Sequence, residues 1–177
     1  MVTTGPAERT YLRMVAEYQD AILNYVWRLV GDPELAEDLT QETFTRAWRA
    51  LGRLELDDDA EARRRAWLYR IAHNVATDHL RRKARLRWLP LDALRRLGGG
   101  DPAPGVVGAH PVRQALARLS EDHRQALLLF AQSGLSAEEV AEVLGITPAA
   151  ARKRRQRARE AFVAAWRAVG GGEGVGG

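Results

Sequence analysis

Eight residues near the middle of the chain, Gly98-Gly99-Gly100-Asp101-Pro102-Ala103-Pro104-Gly105, suit neither helix nor strand. The glycines carry too much backbone freedom, and the prolines lack the N–H that either ladder requires. A chain of 177 residues interrupted there must build a core on each side of the break. On both sides apolar residues recur at helical spacing, without strand-like alternation. The expected fold is therefore all-α: two small helical domains joined by a flexible linker. The boundaries read as 8–87 for the first domain, 88–111 for the linker, 112–169 for the second domain and 170–177 for a disordered glycine-rich tail.

Within the first domain, Leu12, Val15, Ile22, Val26 and Leu29 share a helical face that stops at Gly31. Asp32-Pro33 reads as an N-cap followed by proline at the first helical position, opening a helix that runs to about Ala50. Its inner stripe is Ala36, Leu39, Thr43, Ala47 and Leu51, with Phe44 and Trp48 beside it. A gap containing Asp57, Asp58 and Asp59 precedes a third helix from about Arg65 to Arg85, with Leu68, Ile71, Ala72, Val75 and His79 as its buried side. In the second domain Ser120 restarts a helix, Ser136 and Glu139 have the spacing of a capping box, and Thr147-Pro148 opens a last helix reaching about Val169.

Several function classes drop out. With no cysteine there are no disulfides, thiolate metal sites or cysteine nucleophiles. The histidines, His73, His79, His110 and His123, form no i, i+4 pair, so core or surface placement outweighs metal ligation. Neither a phosphate-cradling glycine loop nor a nucleophile elbow occurs; no catalytic residue, metal or cofactor is expected, and an enzyme is the weakest class. No apolar run approaches the roughly 18 residues of a membrane span, and the first residues lack a signal-peptide layout. A cytoplasmic location without membrane insertion is the expectation.

Net charge is only +4, but its placement is uneven. Residues 112–170 hold ten basic side chains against six acidic ones, and two clusters, Arg81 to Arg87 and Arg152 to Arg159, close two helical segments. Single charge runs are most often solvated helix faces; two such runs at helix ends also suit phosphate contacts.

Three motifs carry the functional reading. Leu135 to Pro148 has what a helix-turn-helix needs: a small residue at the crossing (Ala141), a reversing glycine (Gly145), and apolar locks at Val140, Leu144 and Ile146. The following helix would present Arg152, Lys153, Gln156 and Arg157 to a major groove, unless the unit is an ordinary helical hairpin. On the second helix Asp38, Gln41 and Glu42 form an acidic outward edge at i, i+3 and i+4, either plain solvated surface or a docking face for a basic protein. From Ala66 to Arg82 aromatic rings interleave with arginines, suiting either a core or the stacking of unpaired bases; Trp67 and Tyr69 cannot both point inward.

Taken in order, these stretches resemble the sigma-70 family of bacterial transcription initiation factors, of the two-domain extracytoplasmic-function type. Asp38-Leu39-Thr40-Gln41-Glu42 is similar to the D-L-x-Q-E of region 2.2, Trp67 to Asn74 to regions 2.3 and 2.4, and the helix-turn-helix to region 4. The resemblance covers about residues 8 to 168. It implies that Asp38, Leu39, Gln41 and Glu42 dock on the beta-prime clamp helices of RNA polymerase core, with the beta flap as a further contact. It also implies that the loop from Leu54 to Arg64 holds a base flipped from the −10 element. Arg64, Arg65, Tyr69, His73, Asn74, Thr77, Arg81 and Arg82 would accompany that base. Thr147, Pro148, Ala149, Arg152, Lys153, Gln156 and Arg157 would read the −35 element. Promoter DNA and an anti-sigma factor are the implied partners.

Two departures from the family pattern stand out. Arg155 replaces a usual leucine within the stripe Ala151, Ala158, Phe162, so either its stem covers the core with the guanidinium at the edge or the helix is rotated. Asp57-Asp58-Asp59 places charge that repels phosphate in the base-holding loop. Two other classes compete: a stand-alone helix-turn-helix regulator whose N-terminal helices sense a signal or dimerise, and a helical interaction protein with incidental basic faces.

Overall fold

A computed structural model describes residues 5–51, 60–87 and 111–170. Among them are seven α-helices, one π-helical turn and no strand. The helices are α1 (Pro6–Val30), α2 (Pro33–Leu51), α3 (Ala60–Arg87), α4 (Pro111–Ala117), α5 (Glu121–Leu127), α6 (Ala137–Leu144) and α7 (Pro148–Ala168), with the π-turn at Leu128–Gln132 between α5 and α6. The expected linker up to His110, the Asp57–Asp59 run, the Leu54–Asp59 part of the base-holding loop, and the tail after Gly170 lie outside the described residues.

The punctuation works as the residue types require. Gly31 takes the left-handed conformation (φ 80°) and its N–H closes α1 on the Trp27 carbonyl. Asp32 then accepts from the Leu35 N–H at 3.1 Å, capping α2. Ala36, Leu39, Thr43, Phe44, Ala47 and Leu51 are all buried in α2, whereas Trp48 turns outward and meets Tyr11 edge to face.

Two sequence expectations shift. Leu12 is 55% exposed; the buried stripe of α1 is instead Met14, Tyr18, Ile22, Tyr25, Val26 and Leu29. Its polar-tipped tyrosines obscured that stripe, because each buries a ring while needing a partner for its hydroxyl. Helix α3 begins at Ala60 rather than near Arg65: Ala60-Glu61-Ala62-Arg63 favours helix intrinsically without adding to an apolar stripe. In α3, Leu68, Ala72 and Val75 are buried as expected, Ile71 and His79 are half-buried, and Tyr69, not Trp67, is the ring turned fully inward.

Helices α4 and α5 pack on α7, and α6 crosses α7 in the helix-turn-helix. The two halves touch directly, α6 against α3 and the π-turn against α1. Leu128, Leu129, Leu135, Val140 and Val143 join the apolar cluster that contains Ile22, Tyr25, Leu68 and Ala72, so one continuous core crosses both halves.

Candidate functional site

The outward edge of α2 is built by its inner stripe. With Leu39 and Thr43 anchored inside, Asp38 and Gln41 are exposed, and Leu39 is buried on the inner stripe. Glu42 accepts from the Arg46 guanidinium at 2.7 Å, which with nearby Arg49 holds its carboxyl below the usual range. Beside this edge a cleft between α1 and α2 is lined by Val15, Leu23, Thr40, Gln41 and Phe44.

Along α3 the residues named from the sequence divide between two faces. Asn74, Arg81 and Arg82 are exposed, with Arg70 on the same side one turn before Asn74. Tyr69, His73 and Thr77 lie within the core. Thr77 donates to the His73 carbonyl at 2.7 Å, and His73 Nδ1 is 3.0 Å from the Tyr25 hydroxyl. Burial, reinforced by the Arg81 charge, pushes His73 down to about 4, so the imidazole is neutral at physiological pH. Arg64 and Arg65 are half-buried, and Arg65 donates three hydrogen bonds of 2.8–3.1 Å to the Glu139 carboxylate.

The helix-turn-helix is locally over-determined. Ser136 and Glu139 exchange both capping-box bonds, at 2.7 and 3.1 Å. Gly145 turns the chain at φ 64°, and Thr147 accepts from the Ala150 N–H at 3.2 Å to start α7. Ala151 and Ala158 are completely buried where α7 meets its neighbours, which sends Arg152, Lys153, Gln156 and Arg157 to solvent. Thr147 and Ala149 are exposed at the start of α7, and Pro148 is half-buried. Arg155 needs no rotated helix: it is exposed, with its guanidinium carbon 5.0 Å from the centre of the Phe130 ring.

Arg152, Lys153, Arg155, Gln156 and Arg159 line one shallow groove. Arg155 and Arg159 belong to the basic cluster seen in the sequence but not to the residues expected to read the −35 element, although 152, 155, 156 and 159 follow the i, i+3, i+4, i+7 period of a helix face. Two arginines on α7 have carboxylate partners, Arg152 with Glu138 at 3.0 Å and Arg154 with Asp122 at 3.5 Å. No cluster of three potential metal ligands exists among the described residues.

Comparison with known proteins decides the family. The Sigma-70 region 2 family matches residues 14–86 and the Sigma-70, region 4 family matches residues 109–162. The chain is 39% identical over 144 residues to the ECF RNA polymerase sigma factor SigC of Mycobacterium tuberculosis, covering 78% of this chain and 76% of SigC. The chain belongs to the extracytoplasmic-function sigma-70 family. The chain is also 34% identical over 174 residues to the RNA polymerase sigma-H factor of Pseudomonas aeruginosa, covering 88% and 85% of the two chains. Against the ECF factor SigE of Mycolicibacterium smegmatis, 34% identical, it spans 58% of the relative's length. Its fold is similar to that of the sigma factor RpoE of Bartonella quintana, solved with the anti-sigma factor NepR (TM-score 0.71, 23% identity, 90% of this chain and 98% of that one). CnrH, solved with the cytosolic domain of CnrY, is also similar (TM-score 0.64, 30% identity, 90% and 89%). The α2 edge and α3 thus fall in the region 2 match, and the helix-turn-helix in the region 4 match.

Proposed function

We propose that this sigma factor directs RNA polymerase core to promoter DNA and promotes opening of the −10 element, acting through binding alone. Residues 8–87 form the polymerase-docking and −10 unit, 112–169 the −35 unit, with 88–111 between them. Asp38, Gln41 and Glu42, over Leu39, meet the basic surface of the beta-prime clamp helices. On α3, Arg64, Arg65, Asn74, Arg81 and Arg82 supply donors to the displaced strand, while Tyr69, His73 and Thr77 brace the helix from inside. Holding an unstacked base offsets an opening cost on the order of a few kcal/mol. The start of α7, from Thr147 to Arg157, reads the −35 duplex, and the beta flap is the second polymerase contact. An anti-sigma factor is the matching partner, as NepR is for RpoE.

The observation that carries this reading is the pairing, on one chain, of an exposed acidic edge rigidly anchored by a buried stripe with a groove of four cations on a capped helix-turn-helix. A stand-alone regulator has no use for the first. Run-off transcription with core polymerase on a promoter library tests it. Asp38→Arg with Gln41→Ala should abolish transcripts and leave the circular dichroism spectrum unchanged, because both side chains are solvent-facing. Normal transcription from that variant would overturn the docking assignment.

A further inference from the structure

Two neighbouring arginines of α7 are held by α5 and the π-turn in different ways. Arg154 is half-buried and pairs with Asp122 of α5 at 3.5 Å, so its charge has a partner. Arg155 is exposed, and its guanidinium carbon sits 5.0 Å from the centre of the Phe130 ring. An aromatic face attracts a cation without neutralising it, which leaves the guanidinium N–H groups for another acceptor. The π-turn supplies this ring. Its Ser133 N–H reaches back five residues to the Leu128 carbonyl at 3.2 Å, and across this wider turn Leu128 and Leu129 are buried while Phe130, half-buried, meets α7.

Direction decides what Arg155 can reach. At about 100° per residue, the buried Ala151 and Ala158 point almost opposite to Gln156, which puts Gln156 at the middle of the exposed face. Arg152, Lys153 and Arg159 fall within about 60° of it, whereas Arg155 and Arg157 stand about 100° to either side. When a helix lies in a major groove, side chains at the middle of its face meet base edges and those at the flanks meet the sugar-phosphate walls.

We infer that Arg155 is a phosphate grip on one strand at the rim of the −35 groove, and that Phe130 is the positioning residue that holds it there. This rests on the −35 reading of α7 and adds a contact outside the residues named for that element. A leucine, the family's usual residue at this position, could cover the Phe130 ring but offers nothing to a phosphate. Bracing matters because a free arginine loses side-chain freedom on binding, whereas a stacked guanidinium has already lost part of it. Contact at the wall carries no sequence information, so Arg155 raises affinity for any duplex and sets how firmly the helix seats.

Fluorescence anisotropy of the full chain on two labelled duplexes of unrelated sequence, over a salt series, tests the grip. Arg155→Leu, which keeps an apolar cover on Phe130, should lower affinity about tenfold on both duplexes and reduce the slope of log affinity against log salt by about 1. Phe130→Leu keeps the charge at 155, so the slope should stay while affinity falls about two- to fivefold. In the Arg155→Leu background, Phe130→Leu should do nothing further to binding, whatever it does to the thermal midpoint.

Loss on one duplex only would make Arg155 a base reader and overturn the phosphate assignment. An equal Phe130→Leu loss in both backgrounds would mean that the ring acts through the fold, which overturns its positioning role. Should Phe130→Leu fail to fold, Arg155→Lys decides in its place: a retained slope with weaker binding supports the brace, and wild-type binding overturns it. A wild-type chain that binds neither duplex at low salt sinks the −35 reading itself, whereas binding insensitive to residue 155 sinks the grip alone.

Discussion

The Tyr25 hydroxyl lies 3.0 Å from Nδ1 of His73, and both side chains are inside the core that joins α1 to α3. Burial raises the Tyr25 pKa, so its O–H is retained beside the neutral imidazole, and the two groups share one hydrogen bond whose direction follows the imidazole tautomer.

This pair makes stability pH-dependent with a defined sign. The pKa of His73 is about 4 in the folded chain, below the ordinary 6.5, so the unfolded chain binds the extra proton first as pH falls. Its contribution is complete above pH 6.5 and is lost on acidification towards pH 4, by about 3 kcal/mol at the lower end. Urea unfolding of wild type and His73→Gln across that window checks it: the wild-type free energy should fall more steeply with acid. Parallel slopes would show that the imidazole does not titrate as described.

Duplex binding should separate the arginines of α7 by where they point. Arg155→Ala should weaken −35 duplex binding, reduce the slope of log affinity against log salt by about 1, and destabilise the fold by about 0.5–1 kcal/mol through loss of the Phe130 contact. Arg154→Ala, whose partner is Asp122 and which lies outside the groove, should leave the salt slope unchanged. Fluorescence anisotropy at a series of salt concentrations measures both slopes.

Gly145 isolates a backbone effect. A methyl group there would meet nothing within 4 Å, yet the residue holds φ 64°. Gly145→Ala should destabilise the chain by about 1–2 kcal/mol from conformation alone. The loss should appear as a lower thermal midpoint with no change in the polymerase docking proposed for α2.

Wherever a local rule was sufficient, the sequence determined the outcome. Gly31, Asp32, Ser136, Gly145 and Thr147 set helix ends through bonds spanning three or four residues, and the α2 stripe at 36, 39, 43, 47 and 51 follows from helical period alone. The family motifs were legible for the same reason, being short runs whose spacing survives without any long-range contact. Tertiary structure alone decided which ring of α3 turns inward, why Leu12 lies outside, and that His73 and Thr77 are core groups rather than surface donors. Burial depends on what packs opposite, and a helix with apolar or amphipathic residues on several faces does not announce which face wins. The closing of Arg65 on Glu139 lay furthest from view, since the partners are 74 positions apart and each is, by itself, an ordinary surface charge.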